Sequence, residues 1–292
     1  IKNISDRHRS LQATFEHSWQ LLSKGDQANL SYLSLFRGGF TLEAAVQVTG
    51  ATKNELFRLV DKSLISFSHD SRYEFHALLR EFAEEKYVLL QRDALDGSAQ
   101  RLKNKFSRYF LTWIGGVNAE IKGADAKKII DEIHWDLNNI RQAWQWAIQS
   151  KQYSEIMTAL PTITHFYIRS ASVEEGASLL TQAIAHYPKA AMNIDARHQD
   201  RMSLCQLITA RAELLLQQGV IEESIKAAEQ AIEMIEGVDN LLGAMAYLQL
   251  GAGYRQNGQL EAAVLKLEHA LELAIEQRWR YGEARINLEL GE

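Results

Sequence analysis

Apolar residues recur at helical spacing along most of this chain and alternate with polar ones at a single place. Leu11, Phe15, Trp19 and Leu22 stand four, four and three apart, on one face of a helix predicted over residues 10–22. Ser23-Lys24-Gly25-Asp26 breaks that pattern, and a second apolar run through Leu30, Leu33, Leu35 and Phe36 stops at Gly38-Gly39. Thr41 is placed to cap a short helix from Leu42 to Val48 that ends at Gly50. Thr52, with Glu55 three residues later, has the form of a capping box; the helix it opens carries Leu56, Leu59, Val60 and Leu64 on one side. Ile65 and Phe67, then Tyr73 and Phe75, alternate with polar residues around Ser68-His69-Asp70-Ser71, which predicts a β-hairpin. Beyond His76 the helical period returns with Leu78, Leu79, Phe82, Tyr87 and Leu90. This order of helices, hairpin and closing helix predicts a winged helix-turn-helix domain over residues 1–92. Lys53 to Ser63 take the recognition-helix position and Ser66 to Phe75 form the wing.

After a linker at Asp93 to Ser98, every strong segment is helical. A connecting helical pair is predicted over residues 93–153. Phe106, Tyr109, Phe110 and Trp113 share one face of its first helix, and Ile129, Ile133, Leu137, Ile140, Trp144 and Ile148 one face of its second. Carboxylates one turn apart, such as Glu132 and Asp136, are expected on the solvated side.

From residue 154 to 292 the sequence repeats itself. Gly219 and Gly258 are 39 residues apart, as are Ala231 and Ala270. The copy Tyr247-x-x-Leu250-Gly251-x-x-Tyr254-x-x-x-Gly258, followed by Ala263, Leu267 and Ala270, is similar to a tetratricopeptide repeat, a helix–turn–helix hairpin of roughly 34 residues. The longer spacing implies longer helices or loops. Gly251 lets the two helices approach, and Gly258 lies where the first must stop and turn. An earlier copy overlays Ala171 on Gly219 and Gly176 on Ser224, with Pro188 five residues past Ala183. Leu290-Gly291 matches Leu250-Gly251, so a further copy is expected to break off there. The fold class predicted is therefore mainly α, a winged helix followed by a tetratricopeptide-like α-superhelix.

Composition narrows the chemistry. With 292 residues, one cysteine and a net charge of −5, the chain is expected to be soluble, cytoplasmic and free of disulfide support, with Cys205 packed in the core. It has no apolar run near 18 residues and no signal peptide, so no membrane contact is expected. The missing initiator Met suggests a piece of a longer protein. No Gly-x-x-x-x-Gly-Lys-Ser/Thr loop and no His-Glu-x-x-His or Cys–His cluster occurs, so no nucleotide hydrolysis and no metal are expected within these residues.

Three segments carry a resemblance: Thr14-Phe15-Glu16-His17-Ser18-Trp19-Gln20-Leu21-Leu22, Phe36-Arg37-Gly38-Gly39-Phe40-Thr41 and Val60-Asp61-Lys62-Ser63-Leu64-Ile65. With Asp136-Leu137-Asn138-Asn139-Ile140-Arg141-Gln142-Ala143-Trp144, they resemble the winged-helix arm and repeat entry of bacterial STAND-class signal-transduction ATPases, many of them transcriptional regulators. The resemblance implies ADP or ATP bound to a nucleotide-binding domain of the same parent chain, which this arm holds closed. An inducer on the repeats then allows nucleotide exchange and multimerisation. It also implies that His76, in Tyr73-Glu74-Phe75-His76-Ala77-Leu78-Leu79-Arg80, reaches the nucleotide phosphate. The class often shows His-Asp where His76-Ala77 stands here.

Residues 1–90 hold eleven Lys and Arg against eleven Asp and Glu. A DNA-reading domain concentrates positive charge, so this winged helix is expected to pack on protein instead. The repeats are expected to bind a protein, peptide or small-molecule inducer, with Arg169, Arg211 and Arg255 as candidate contacts on the first helices of the hairpins. Two rival readings are a regulator whose winged helix reads DNA, and a tetratricopeptide scaffold in which His76 is structural.

Overall fold

A computed structural model describes residues 12–68, 70–93, 97–188, 198–235 and 241–291. Leu11, His69 in the hairpin turn and residues 94–96 of the expected linker lie outside them. The chain divides into two compact units, residues 1–113 with 131–150, and residues 114–130 with 151–292. The boundary runs through both helices of the connecting pair.

The first unit begins with a helix over residues 12–20 (α1), then α2 (Lys24–Leu33), α3 (Leu42–Thr49) and α4 (Lys53–Asp61). A hairpin of β1 (Ser66–Phe67) and β2 (Tyr73–Glu74) follows, and α5 (Ala77–Asp93) closes the sequence. The caps are those the residue types demand. Ser23 accepts from the Asp26 N–H, so the polar stretch Ser23 to Asp26 starts α2 rather than forming a loop. Thr41 caps α3, and Thr52 with Glu55 forms the complete capping box of α4. The strands pair antiparallel with Phe67 opposite Tyr73, and Tyr73 also bridges Phe40.

Two further helices, α6 (Ser98–Gly116) and α7 (Ala126–Gln149), contribute aromatic faces to this unit. Phe36 lies 4.6 Å from Phe40 and 5.2 Å from Phe106, and Phe106 lies 4.8 Å from Phe110 and 5.0 Å from Trp146, centroid to centroid. Such pairs add about 0.5–1.5 kcal/mol each beyond area burial.

Asp136 corrects an expectation. It is buried, not solvated: Arg72, immediately before β2, donates to its two oxygens at 2.6 and 3.1 Å. Arg72 and Asn139 both donate to the Gly39 carbonyl, at 2.8 and 3.0 Å, and the Asn139 side-chain oxygen accepts from the Arg37 N–H at 2.6 Å. Helical periodicity located the apolar face of α7 but carried no sign of a cation arriving from a hairpin 64 residues earlier.

The second unit is a stack of helical hairpins: α8 (Tyr153–Arg169) with α9 (Val173–His186), α10 (His198–Gln218) with α11 (Ile221–Ile235), and α12 (Leu241–Gln256) with α13 (Leu260–Glu276), then α14 (Arg280–Leu290). The first helices also pack on one another, α8 on α10, α10 on α12 and α12 on α14. The overlay of copies holds in the backbone. Ala171, Gly219 and Gly258 all take left-handed φ, at 54°, 84° and 78°. A Cβ on Gly251 would meet Leu267 Cγ at 2.6 Å, and one on Gly176 would meet Tyr167 at 2.8 Å, so both mark close helix contacts. Gly291 departs from the overlay. It ends α14 with φ 87° and open space beside it, so it acts as Gly219 and Gly258 do, not as Gly251 does.

The long repeat spacing is partly helix length, 21 residues in α10 and 17 in α13. Cys205 on α10 is buried, and its Sγ lies 3.3 Å from the Ala231 carbonyl oxygen. Burial pushes its thiol up to about 12, which leaves it an inert packing residue. Among the described residues, no helix is long and apolar enough to cross a membrane.

Candidate functional site

The first helices of the hairpins line a partly open cavity of about 350 Å³ within the second unit. Helical spacing builds its wall. Met157, Leu160, Thr164 and Ile168 face it from α8, Gln206, Ala210 and Glu213 from α10, and Leu242, Met245 and Gln249 from α12, each set three or four residues apart. Tyr281 and Arg285 face it from α14, while Asn118 and Lys122, at a 3₁₀ turn over Glu120–Lys122, close another side. Pro161 stands inside α8 and also borders the cavity. Without an N–H it cannot bond the Met157 carbonyl one turn back, so a backbone acceptor is released beside the space.

The charged groups gather at one part of the wall. Arg285 Nη1 donates to Glu213 Oε1 at 2.7 Å, with side chains 28% and 16% exposed. Desolvation opposes the Arg285 charge, and Glu213 and Tyr281 more than offset it, so its pKa lies above the ordinary value. The Tyr281 ring has Lys122 Nζ at 5.3 Å from its centroid and Arg285 Cζ at 5.9 Å. Lys122 is exposed as a residue, yet desolvation at its ammonium lowers the pKa, with Arg285 acting the same way and Glu213 against it. Desolvation, then Lys122, lowers the His165 pKa, so that imidazole is neutral near pH 7 and offers one donor and one acceptor.

Polar groups without partners face this space. Gln249 is 3% exposed and sits between Leu248 and Leu250, yet its amide has no hydrogen-bond partner among the described residues. The same is true of the His165 ring, and the Lys122 ammonium has neither a hydrogen-bond acceptor nor an ion-pair partner among them. The Asn118 Oδ1 is buried and unbonded. Buried polar groups are bonded in more than nine cases of ten, so the unbonded Asn118 oxygen, beside other polar groups that reach the cavity, marks a place open to a ligand's polar atoms.

The residues singled out from sequence lie elsewhere. His76 is exposed immediately before α5, where its carbonyl accepts from the Leu79 and Arg80 N–H groups at 3.0 Å. Arg169 is exposed at the end of α8, close enough to lower the His165 pKa but not bordering the cavity. Arg211 bonds Thr181 at 2.9 Å and pairs with Glu223 at 3.3 Å, joining α10 to α9 and α11. Arg255 pairs with Glu289 at 2.6 Å, joining α12 to α14. The fold does not bring the three arginines together. His165, Glu213, Gln249 and Arg285 were missed, and one signal was available: Gln249 interrupts the apolar run Leu248-Gln249-Leu250 at the middle of a first helix.

No known protein-family description matches the chain. It is 22% identical over 303 residues to proteins of Mycobacterium bovis and of two strains of Mycobacterium tuberculosis, each named a "Putative HTH-type transcriptional regulator". The match covers 96% of this chain and 32% of the relative, so the chain spans about a third of those proteins. Among solved structures, it matches the Signal Transduction ATPase with Numerous Domains (STAND) protein with a tetratricopeptide repeat sensor from Pyrococcus horikoshii. The identity there is 15%, the TM-score 0.28, and the coverage 95% of this chain and 55% of that one.

Proposed function

We propose that this chain is the non-catalytic arm and sensor portion of a STAND-type signalling ATPase that regulates transcription. In this reading the repeat unit takes an inducer in the cavity on its first helices. The N-terminal unit is a winged helix that packs on a nucleotide-binding domain of the same parent protein and holds its ADP-bound state, with His76 directed at the nucleotide. Induction works only if the inducer binds the released state more tightly than the closed one.

The observation that carries the reading is the cavity, with the Glu213–Arg285 pair and the unpartnered Gln249 amide in its wall. Two features of α4 favour protein packing over DNA. Phe57 is 69% exposed, and Arg58 is held by Asp26 at 2.7 Å while Glu55 serves the capping box, so this helix presents an apolar ring and few free cations. The name of the mycobacterial relatives favours a regulator that reads DNA directly as the second reading. That reading requires binding by this chain that weakens steeply with salt.

Filling the cavity tests the sensor role. Ala210→Trp, introduced into the longer protein, is expected to abolish the response to inducer while the protein stays folded by circular dichroism. A normal response from a folded Ala210→Trp protein overturns the reading.

A further inference from the structure

The cavity also says what kind of molecule it receives. Its two cations, Lys122 and Arg285, outnumber its one carboxylate, Glu213, and His165 adds no charge in the neutral form. Glu213 is already held by Arg285, and Glu289, which also acts on Arg285, is taken up by Arg255. Glu213 acts on Lys122 as well as on Arg285, and one carboxylate against two cations leaves the wall with one net positive charge. A cationic ligand would be repelled by Lys122 and Arg285 together. A dianion would set its second charge against Glu213. A single negative charge matches the wall, because a charge-assisted hydrogen bond is among the stronger polar contacts in a partly desolvated site.

Beside the polar Thr164, Gln206 and Thr209, an apolar part of the lining comes from Met157, Leu160, Ile168, Leu242 and Met245. Two of these are methionines, whose flexible thioethers adapt to the shape of what they enclose. At about 350 Å³ the space lies at the small end of the range for small-molecule sites, roughly 300–1,000 Å³. It holds no folded protein.

We propose that the cavity of the repeat unit is a receptor site for a small amphipathic carboxylate, its charged end held by Lys122, His165 and Arg285 and its apolar body by the α8 and α12 walls. The Gln249 amide then supplies one donor and one acceptor to the part of the ligand that reaches it. This assignment rests on the sensor reading and narrows it to one class of inducer.

Isothermal titration of the 292-residue chain with octanoate and 4-phenylbutyrate, each beside its uncharged primary amide, tests the assignment. The carboxylates are expected to bind at least about tenfold more tightly than the amides. Lys122→Gln, at a solvent-exposed position, is expected to remove that preference with an unchanged melting temperature. Equal binding of acid and amide, a preference that survives Lys122→Gln, or no binding of either carboxylate overturns the proposal. The Ala210→Trp result separates the two failures. If the filled cavity abolishes induction while the carboxylates do not bind, the ligand class falls and the sensor reading stands. If the filled cavity leaves induction normal, the sensor reading falls as well.

Discussion

Both units bury polar side chains, and they use them in opposite ways. In the first, Arg72, Asp136 and Asn139 satisfy one another and the backbone at Gly39 and Arg37. In the second, the buried Gln249 stands beside a cavity without a hydrogen-bonding partner among the described residues, next to the half-buried His165 and the exposed Lys122. A buried polar group that is satisfied pins elements together, because removing its partner leaves an uncompensated charge. One that is unsatisfied beside a void stabilises nothing in the empty protein and gains its bond only when a ligand arrives. Burial alone does not separate structural from binding residues; the state of the hydrogen bonds does.

Mutations can break or sharpen this contrast. The largest effect is expected from Arg72→Ala, which strips the counterion from Asp136, the two side chains being 9% and 12% exposed. A loss of about 3–5 kcal/mol is expected, read by urea unfolding together with faster hydrogen exchange in α7. The double replacement Arg72→Met with Asp136→Leu is expected to recover much of that loss, since a well-packed apolar pair often replaces a buried ion pair without penalty. An Arg72→Ala chain as stable as the native one would show that the network is not a staple.

An intermediate effect is expected from Gly251→Ala. Its Cβ would press on Leu267 Cγ and stand 3.2 Å from the Leu267 backbone nitrogen, where a flexible side chain alone cannot make the room. Overpacking of this kind costs about 1–3 kcal/mol, and thermal unfolding measures it. An unchanged melting temperature would mean that α12 and α13 can separate at little cost.

The smallest effect, and the one of opposite sign, is expected from Gln249→Leu. Replacing a buried amide that has no partner with an apolar group of similar size is expected to leave stability unchanged or raise it by up to about 1 kcal/mol. Ligand affinity is expected to fall at the same time. A clear destabilisation would show that Gln249 has a structural bond after all and would remove the contrast between the units.

Much of the fold was legible. The capping residues Thr41, Thr52 and Glu55, the apolar stripes of α6 and α7, and the alternation of Phe67 and Tyr73 are local signals, and each produced the element it predicted. The repeat overlay was legible because left-handed turns and close helix contacts demand particular residues at fixed intervals. The candidate site was largely not. Arg211 and Arg255 look available in a linear reading, since nothing in the nearby sequence announces Glu223 or Glu289 as partners on neighbouring helices. Glu213 and Arg285 are 72 residues apart, and their pairing depends on stacked first helices that no local periodicity encodes.

The sequence by itself determined the helices, the hairpin, the positions of most turns and the run of helical repeats, because these follow from residue preferences acting over a few positions. Only the tertiary structure decided which polar residues are used up and which are left free. That choice is made by distance between segments remote in sequence: it buried Asp136 against Arg72 and enclosed the unpartnered Gln249 amide beside a cavity.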